Sequence, residues 1–530
     1  MSFDRISKVL SYSIIFFSLF YFVALQQTYV PVPLNWDEVD YANAAKQGIL
    51  GNAFETKSLS FPQFVRLSVA KARKTPLETA GFPEESEDTF LLRHFHPVLP
   101  VYFWSFFTND SAAVEQYQMR LSSSVLAFLY VAVFILSCLL ILPPSFRPSI
   151  EAVSFFTAVF LCSPLFFESF SWLHYHIFFL IAFVLYCGLL IRFLFQPDRI
   201  NAVLFGFGLT VLALTLETWI FPLSVSLIFL IHQIYHRKIS IKILSIACVS
   251  FLITSFVLFP AFWLTLYPIK SWSFYAYRIF FEGSKEYGKV SAFTIWQNLI
   301  FQNWLLWLAI AISVILGARI LKRNKPQTWT IFILGAAYAL FLTPVAFNST
   351  YLLPGVGALM LFSTIALSSL FDGRQTLRIV LPIFGLLIVA ATVFLTPFQE
   401  LRRKSEAILR NFNSDVEQIE NLLVEEKPIL IDGGHIIRYY LSDESKKHLI
   451  KDLTLCPNDK LGFCRRENYQ YANQSDLVET GKYKAVIVSK SMTSNKIPLL
   501  KVSEIEKANF LVVELNDYRC YVMKNNGDNQ

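Results

Sequence analysis

The sequence contains about eleven long apolar runs, each close to the length that an α-helix needs to cross a lipid bilayer. Across the whole chain 54% of the residues are hydrophobic and 16% are charged, whereas a soluble domain carries about 25% charge. We therefore predict a mainly α-helical, polytopic membrane protein of about eleven transmembrane helices. The runs are 9–26, 121–142, 151–166, 177–195, 201–216, 219–234, 241–263, 295–316, 329–343, 352–370 and 379–396.

Lysines and arginines in the short loops predict the orientation, because basic loops stay on the cytoplasmic side. With a cytoplasmic N-terminus, every second loop is basic, so the net charge of +7 does not indicate a nucleic-acid partner. The first outer loop (28–119), the loop 264–294 and the C-terminal region then lie outside the cytoplasm. The basic residues are Arg5, Lys8, Arg147, Arg192, Arg199, Arg237, Lys238, Arg319, Lys322, Arg323, Lys325, Arg374 and Arg378.

The C-terminal region differs from the rest in composition. A charged, amphipathic stretch at 401–425 predicts a helix, and "KPILIDGG", "YKAVIVS" and "FLVVELNDYRCYVM" predict strands. The last of these stretches predicts a pair of strands joined by a hairpin turn at Asn516-Asp517. We expect a transmembrane domain over 1–398 and a small extracytoplasmic α/β domain over 399–530. Cys456 and Cys464 are close enough in sequence for a disulfide, which the sequence leaves open.

Three carboxylates follow the first apolar run in "WDEVDY": Asp37, Glu38 and Asp40. One interpretation is that they stabilise a helix N-terminus. On a helix, Asp37 shares a face with Asp40 and Tyr41, while Glu38 points about 100° away. A carboxylate at the outer membrane surface can also take a proton from an incoming hydroxyl group.

The other end of the same loop carries cationic and aromatic residues in "RHFHPVLPVYFW". Arg93, His94 and His96 precede an aromatic stretch suited to the membrane interface. One interpretation is an interfacial anchor with incidental histidines. The alternative is that these groups stabilise the charge that develops on a departing phosphate. A carboxylate base beside such groups fits glycosyl transfer from a lipid phosphate, since a phosphate leaves without the second carboxylic acid that a glycosidase uses.

Together with "STYLLPGVGAL" at 349–359, these motifs resemble the GT-C membrane glycosyltransferases, and in particular the protein O-mannosyltransferase and aminoarabinose transferase branch. The resemblance implies a polyprenyl-phosphate-linked sugar donor, an extracytoplasmic acceptor and inversion at the anomeric carbon. It implies that Asp37 is the base and Glu38 the second residue of the acidic pair. It assigns His96 to the donor phosphate, although the second proline of the family's His-Pro-Pro element is missing, and Tyr351 to the donor groove.

Further candidates come from other outer loops. The resemblance implies an acidic residue in the second outer loop, which is Glu168, with His174 and His176 nearby. Lys270 and Arg278 are basic residues on the outer side, where orientation does not require them. They indicate phosphate binding or ion pairing with acidic residues of the same loop. No His or Cys spacing predicts a metal site, and the sequence leaves open whether a divalent cation takes part.

Two other classes of function compete with the transferase. A polytopic chain with few charges also suits a transporter or lipid flippase, although no internal repeat is evident and the polar groups gather at one membrane face. A noncatalytic scaffold whose outer domain binds a partner is the third. The motifs specify neither a hexose nor a pentose, nor whether the acceptor is glycolipid, polysaccharide or protein. The expected location is a bacterial cytoplasmic membrane.

Overall fold

The computed structural model describes most of the membrane region and part of the C-terminal region. The described residues are 3–35, 37–54, 97–264, 266, 268–269, 291–324, 326–346, 348–371, 378–422, 429–431, 434–441, 450–452, 485–489 and 510–523.

Helices form most of the described chain. In the first half they are α1 (Phe3–Tyr29), α2 (Asp37–Ala45), α3 (Gly48–Phe54), α4 (Leu99–Trp104), α5 (Ala112–Leu136), α6 (Ile150–Leu161), α7 (Pro164–Phe170), α8 (Tyr175–Phe195), α9 (Arg199–Ala213), α10 (Ile220–Tyr235) and α11 (Ile241–Leu258). In the second half they are α12 (Pro260–Leu264), α13 (Ala292–Phe301), α14 (Trp304–Asn324), α15 (Trp329–Leu342), α16 (Leu353–Leu370), α17 (Val380–Leu395), α18 (Phe398–Leu422) and α19 (Gly434–Tyr440).

Every predicted apolar run coincides, apart from its ends, with one of these helices or with two consecutive ones. Within the described ranges, six helices are long and apolar enough to cross a membrane, and up to nine spans result if each bent pair is one span. The helices α9 and α15 are apolar but shorter. The protein is therefore an integral membrane protein of mainly α-helical fold, and the number eleven stays a prediction.

The helices differ in how deeply they lie in the bundle. In α16 all of the most apolar stretch is buried, whereas in α11 only 11% of it is buried. A helix that is apolar on all sides and fully enclosed belongs to the core of a bundle. Helix α16 is therefore a central helix, and Tyr351 immediately precedes it.

The C-terminal region contains a five-stranded sheet in the order β2-β1-β3-β5-β4. The strand β1 pairs in parallel with β2 and β3, and β5 pairs antiparallel with β3 and β4. This confirms the α/β prediction and the hairpin between β4 and β5. Cys456 and Cys464 lie outside the described residues, and the boundary at 398/399 stays a prediction. The strands are β1 (Ile429–Ile431), β2 (Ile450–Asp452), β3 (Ala485–Ser489), β4 (Phe510–Glu514) and β5 (Tyr518–Met523).

The predicted amphipathic helix is α18, and it joins the membrane region to the sheet. Its buried Asp415 accepts hydrogen bonds from the backbone N–H groups of Asn516 at 2.8 Å and Asp517 at 2.7 Å. These bonds hold the turn of the β4–β5 hairpin against α18. The helix and the sheet therefore form one α/β unit, which we call the C-terminal unit.

The central helix α16 approaches α15 closely at two glycines. A Cβ atom on Gly355 would lie 2.7 Å from the carbonyl oxygen of Gly335, and one on Gly335 would lie 2.8 Å from that of Gly355. Small residues allow such close packing of helices within a membrane. This contact fixes the first turn of α16 at Gly355, four residues after Tyr351.

We expect Gly355→Ala to destabilise the protein by about 1–3 kcal/mol, because its methyl group meets backbone that cannot move aside. Thermal unfolding of the purified protein measures the effect. Gly385→Ala is the matched control, since its nearest neighbours are methyl carbons of Ile14 at 3.4 Å. A melting temperature for Gly355→Ala equal to or above that of Gly385→Ala would contradict the packing argument.

Candidate functional site

The acidic pair begins α2, and its two carboxylates lie in different environments. Asp37 is the first residue of the helix and is exposed, whereas Glu38 is 2% exposed. The Glu38 carboxylate accepts the backbone N–H of Asn35 at 3.0 Å, as a capping side chain does at a helix N-terminus. The side chains of Asp37 and Glu38 therefore point in different directions, as the periodicity of a helix predicts.

The partner of Glu38 is Arg120 of α5, whose exposed fraction is 0%. Arg120 Nη1 contacts Glu38 Oε1, and Arg120 Nη2 donates to Glu38 Oε2 at 2.8 Å. The backbone N–H of Leu173 donates to Glu38 Oε1 at 2.9 Å. Both carboxylate oxygens are thus occupied by hydrogen-bond donors inside the protein.

The guanidinium of Arg120 also binds two loops. It donates to the carbonyl oxygens of Val32 at 3.2 Å, Pro33 at 2.8 Å and Ser171 at 2.8 Å. Its Cζ lies 5.0 Å from the ring centroid of Tyr29. Arg120 therefore ties the segment after α1 to the segment before α8. Sequence reasoning missed this residue, although a lone arginine beside an apolar run is a usable signal.

Three segments of the chain come near Tyr41, which lies one turn after Asp37. Burial raises the pKa of the Tyr41 hydroxyl well above its usual value, and the charge of Asp37 adds to this, followed by Tyr351, Asp40 and Glu217. Glu217 is 3% exposed and lies in a short 3₁₀ helix before α10, and Tyr351 lies in one before α16. Residues far apart in sequence thus lie close enough to act electrostatically on one hydroxyl group.

An aromatic cluster packs against the ring of Tyr41. The Tyr41 ring stacks on Trp104 with centroids 5.1 Å apart and packs edge-on against Tyr175 at 4.9 Å. Trp104 is 0% exposed. Because these rings fill the space behind α2, they fix the face of the helix that carries Asp37 and Tyr41.

Two histidines pack beside Tyr351. The rings of His174 and His176 stack with centroids 4.6 Å apart, and His176 lies 4.4 Å from the Tyr351 ring. Imidazoles donate hydrogen bonds and gain positive charge at mildly acidic pH. The pair and Tyr351 could therefore contact a phosphate group. Sequence reasoning noted the histidines only as neighbours of Glu168.

The other predicted site residues have different outcomes. Glu168 is exposed on α7, and the described residues show no contact between it and Asp37. Its neighbour Ser169 lies 3.5 Å from Thr350, measured between hydroxyl oxygens, so α7 does reach the segment that carries Tyr351. The predicted cationic residues lie outside the described residues. They are Arg93, His94, His96, Lys270 and Arg278.

Within the described ranges, no group of three or more His, Cys, Asp or Glu side chains is placed to hold a metal ion. The divalent cation that the sequence leaves open therefore has no ligand set among these residues.

We expect Arg120→Met to destabilise the protein by about 3–5 kcal/mol, because Glu38 would keep a buried charge with no counterion. Adding Glu38→Met should restore much of the stability, since no isolated charge remains. Thermal unfolding in lipid nanodiscs measures whether the double variant is more stable than Arg120→Met. Arg402→Met is the control, because the Arg402 side chain is 69% exposed. A double variant as unstable as Arg120→Met would refute the role of the ion pair.

Comparisons with known proteins show what the fold is. No protein-family model and no curated protein sequence matches the chain. The structure is similar to ArnT from Cupriavidus metallidurans in the apo state, with a TM-score of 0.57, 13% identity, and coverage of 96% of this chain and 97% of ArnT. It is also similar to ArnT bound to undecaprenyl phosphate, with a TM-score of 0.51, 13% identity and 97% of each chain covered. The chain therefore has the GT-C fold of membrane glycosyltransferases, as its motifs predict.

Proposed function

We propose that the protein is a membrane glycosyltransferase that moves one sugar from a polyprenyl-phosphate-linked donor to an extracytoplasmic acceptor. The observation that carries this proposal is the exposed Asp37 carboxylate at the start of α2, a helix whose Tyr41 lies within electrostatic range of Tyr351 and Glu217, in a chain with the GT-C fold. The structure of ArnT with undecaprenyl phosphate supports a polyprenyl-phosphate carrier.

Asp37 is the proposed base, and Glu38 is the proposed anchor of its segment. Asp37 takes the proton from the acceptor hydroxyl while that oxygen attacks the anomeric carbon. The bond from this carbon to the phosphate oxygen breaks, and the polyprenyl phosphate leaves with the electron pair. Attack opposite the leaving group inverts the anomeric carbon. Glu38 suits this role less, because an arginine and two backbone N–H groups already occupy its oxygens.

The leaving phosphate needs positive charge and hydrogen-bond donors as its own negative charge develops. His174, His176 and Tyr351 are the described residues that we propose for this contact. Glu168 stays a candidate for contact with the acceptor. The predicted cations stay candidates that extend the phosphate contact, and they are Arg93, His94, His96, Lys270 and Arg278.

The site lies at one end of the helical bundle. Asp37 follows the end of α1, Arg120 lies near the start of α5, and Tyr351 precedes α16. By the distribution of basic loops this end faces away from the cytoplasm, so we place the reaction at the outer face of a bacterial cytoplasmic membrane. A transporter would instead place its polar groups near the bilayer midplane. The transferred sugar is a hexose or a pentose, and the acceptor is a glycolipid, polysaccharide or protein.

We expect Asp37→Asn to lower transfer by about 100-fold or more, the usual contribution of a positioned base. The measurement is mass spectrometry of polyprenyl-linked sugars and extracytoplasmic glycans in cells that express each variant. The donor should accumulate and the glycosylated product should disappear. Asp110→Asn is the matched control, because Asp110 is exposed just before α5 and has no proposed role.

If Asp37→Asn retains more than about a tenth of wild-type transfer, Asp37 is not the base. Uptake of lipid or sugar into liposomes without any transfer product would instead favour the transporter.

A further inference from the structure

Helix α19 follows strand β1 and packs through Tyr440 against Phe412 of α18, so it belongs to the C-terminal unit. Its last two residues nevertheless reach the segments on either side of α2, the helix that begins with Asp37. The Tyr440 hydroxyl accepts the backbone N–H of Leu34 at 2.6 Å, across 406 positions of sequence. The Tyr440 ring packs edge-on against Phe412 of α18, with centroids 4.8 Å apart. The hydroxyl group is thus fixed by the C-terminal unit itself, and it holds the backbone three residues before Asp37.

The neighbouring Tyr439 contacts the other end of α2 through Glu115, whose exposed fraction is 0%. The Tyr439 hydroxyl donates to Glu115 Oε2. Lys46, which follows α2, places its Nζ 3.0 Å from the same oxygen and 5.1 Å from the Tyr439 ring centroid. Burial and then the charge of Glu115 raise the pKa of Tyr439, so this hydroxyl keeps its proton and stays a donor.

The contacts of the two tyrosines are stronger than ordinary packing between two parts of a chain. One of them is a charge-assisted hydrogen bond to a fully buried carboxylate, a strong kind of bond. The Glu115 carboxylate also accepts the backbone N–H of Asn109 at 3.1 Å, so it joins three segments. Helix α2 is therefore held at its start by Arg120 and at its end by Lys46 and Glu115, and the C-terminal unit contributes to both sides.

We propose that the C-terminal unit positions Asp37 for catalysis through the hydroxyl groups of Tyr439 and Tyr440. This inference rests on the proposed base role of Asp37. Both tyrosines are positioning residues, since they contact Leu34 and Glu115 and not the carboxylate of Asp37. The effect on turnover can be large because a displacement of about 1 Å at a reacting group can lower a rate about 100-fold.

The test uses full-length protein with Tyr439→Phe and Tyr440→Phe, singly and together. We expect the double variant to lose tenfold or more in transfer, measured in cells by the ratio of polyprenyl-linked sugar to product. In purified protein, amide exchange of peptides covering 34–46 should become at least tenfold faster. The Kd for undecaprenyl phosphate should change less than twofold, because the proposed phosphate contacts are untouched. Tyr117→Phe is the control, since Tyr117 is 49% exposed on α5.

The outcomes separate the two proposals. If wild-type protein transfers sugar, Asp37→Asn does not, and the double variant keeps wild-type transfer, the positioning role is overturned while the proposed function stands. Faster exchange without loss of transfer overturns it as well. If the double variant does not fold, the single variants decide, and wild-type transfer in both overturns the proposal. If Asp37→Asn keeps transfer, the proposed function itself fails.

Discussion

The ion pair between Arg120 and Glu38 is the contact on which the candidate site depends. Each of these charges would cost several kcal/mol to bury alone. The pair is tolerated because Arg120 also donates to three backbone carbonyls and Glu38 accepts two backbone N–H groups. A buried polar network that is fully satisfied specifies one arrangement, since any displacement leaves a charge without partners. The segment before α2 therefore has a defined path, and this path exposes Asp37.

Two adjacent carboxylates thus have environments that suit different roles. Glu38 is enclosed and neutralised by a cation, whereas Asp37 is exposed at the start of the same helix. Their separation follows from the 100° turn between consecutive helical residues. A site that needs one free base and one fixed anchor can obtain both from a two-residue motif. The tyrosines of α19 then add a connection from this motif to the C-terminal unit.

The sequence predicts the helices well because the bilayer imposes a length and a composition on each span. It predicts the strands around Leu430, Ile487 and Val512 because short β-branched runs alternate with turn residues. It does not determine the number of spans, since α6–α7 and α13–α14 bend by 67° and 87° within one apolar run. Pro164 at the start of α7 accounts for the first of these bends.

The site is predicted less completely than the fold. Asp37 and Tyr351 follow from motifs. The partner of Glu38 does not, because Arg120 is 82 positions away and helical periodicity says nothing about contacts between helices. The same holds for Tyr439, which meets Glu115 across 324 positions.

The most direct measurement is an experimental structure of the protein in a lipid nanodisc with undecaprenyl phosphate. The account predicts a phosphate group in contact with Tyr351 and the His174–His176 pair, with the carboxylate of Asp37 facing the same bound donor. A phosphate bound at the other end of the helical bundle, or an Asp37 side chain directed away from the bound phosphate, would contradict it.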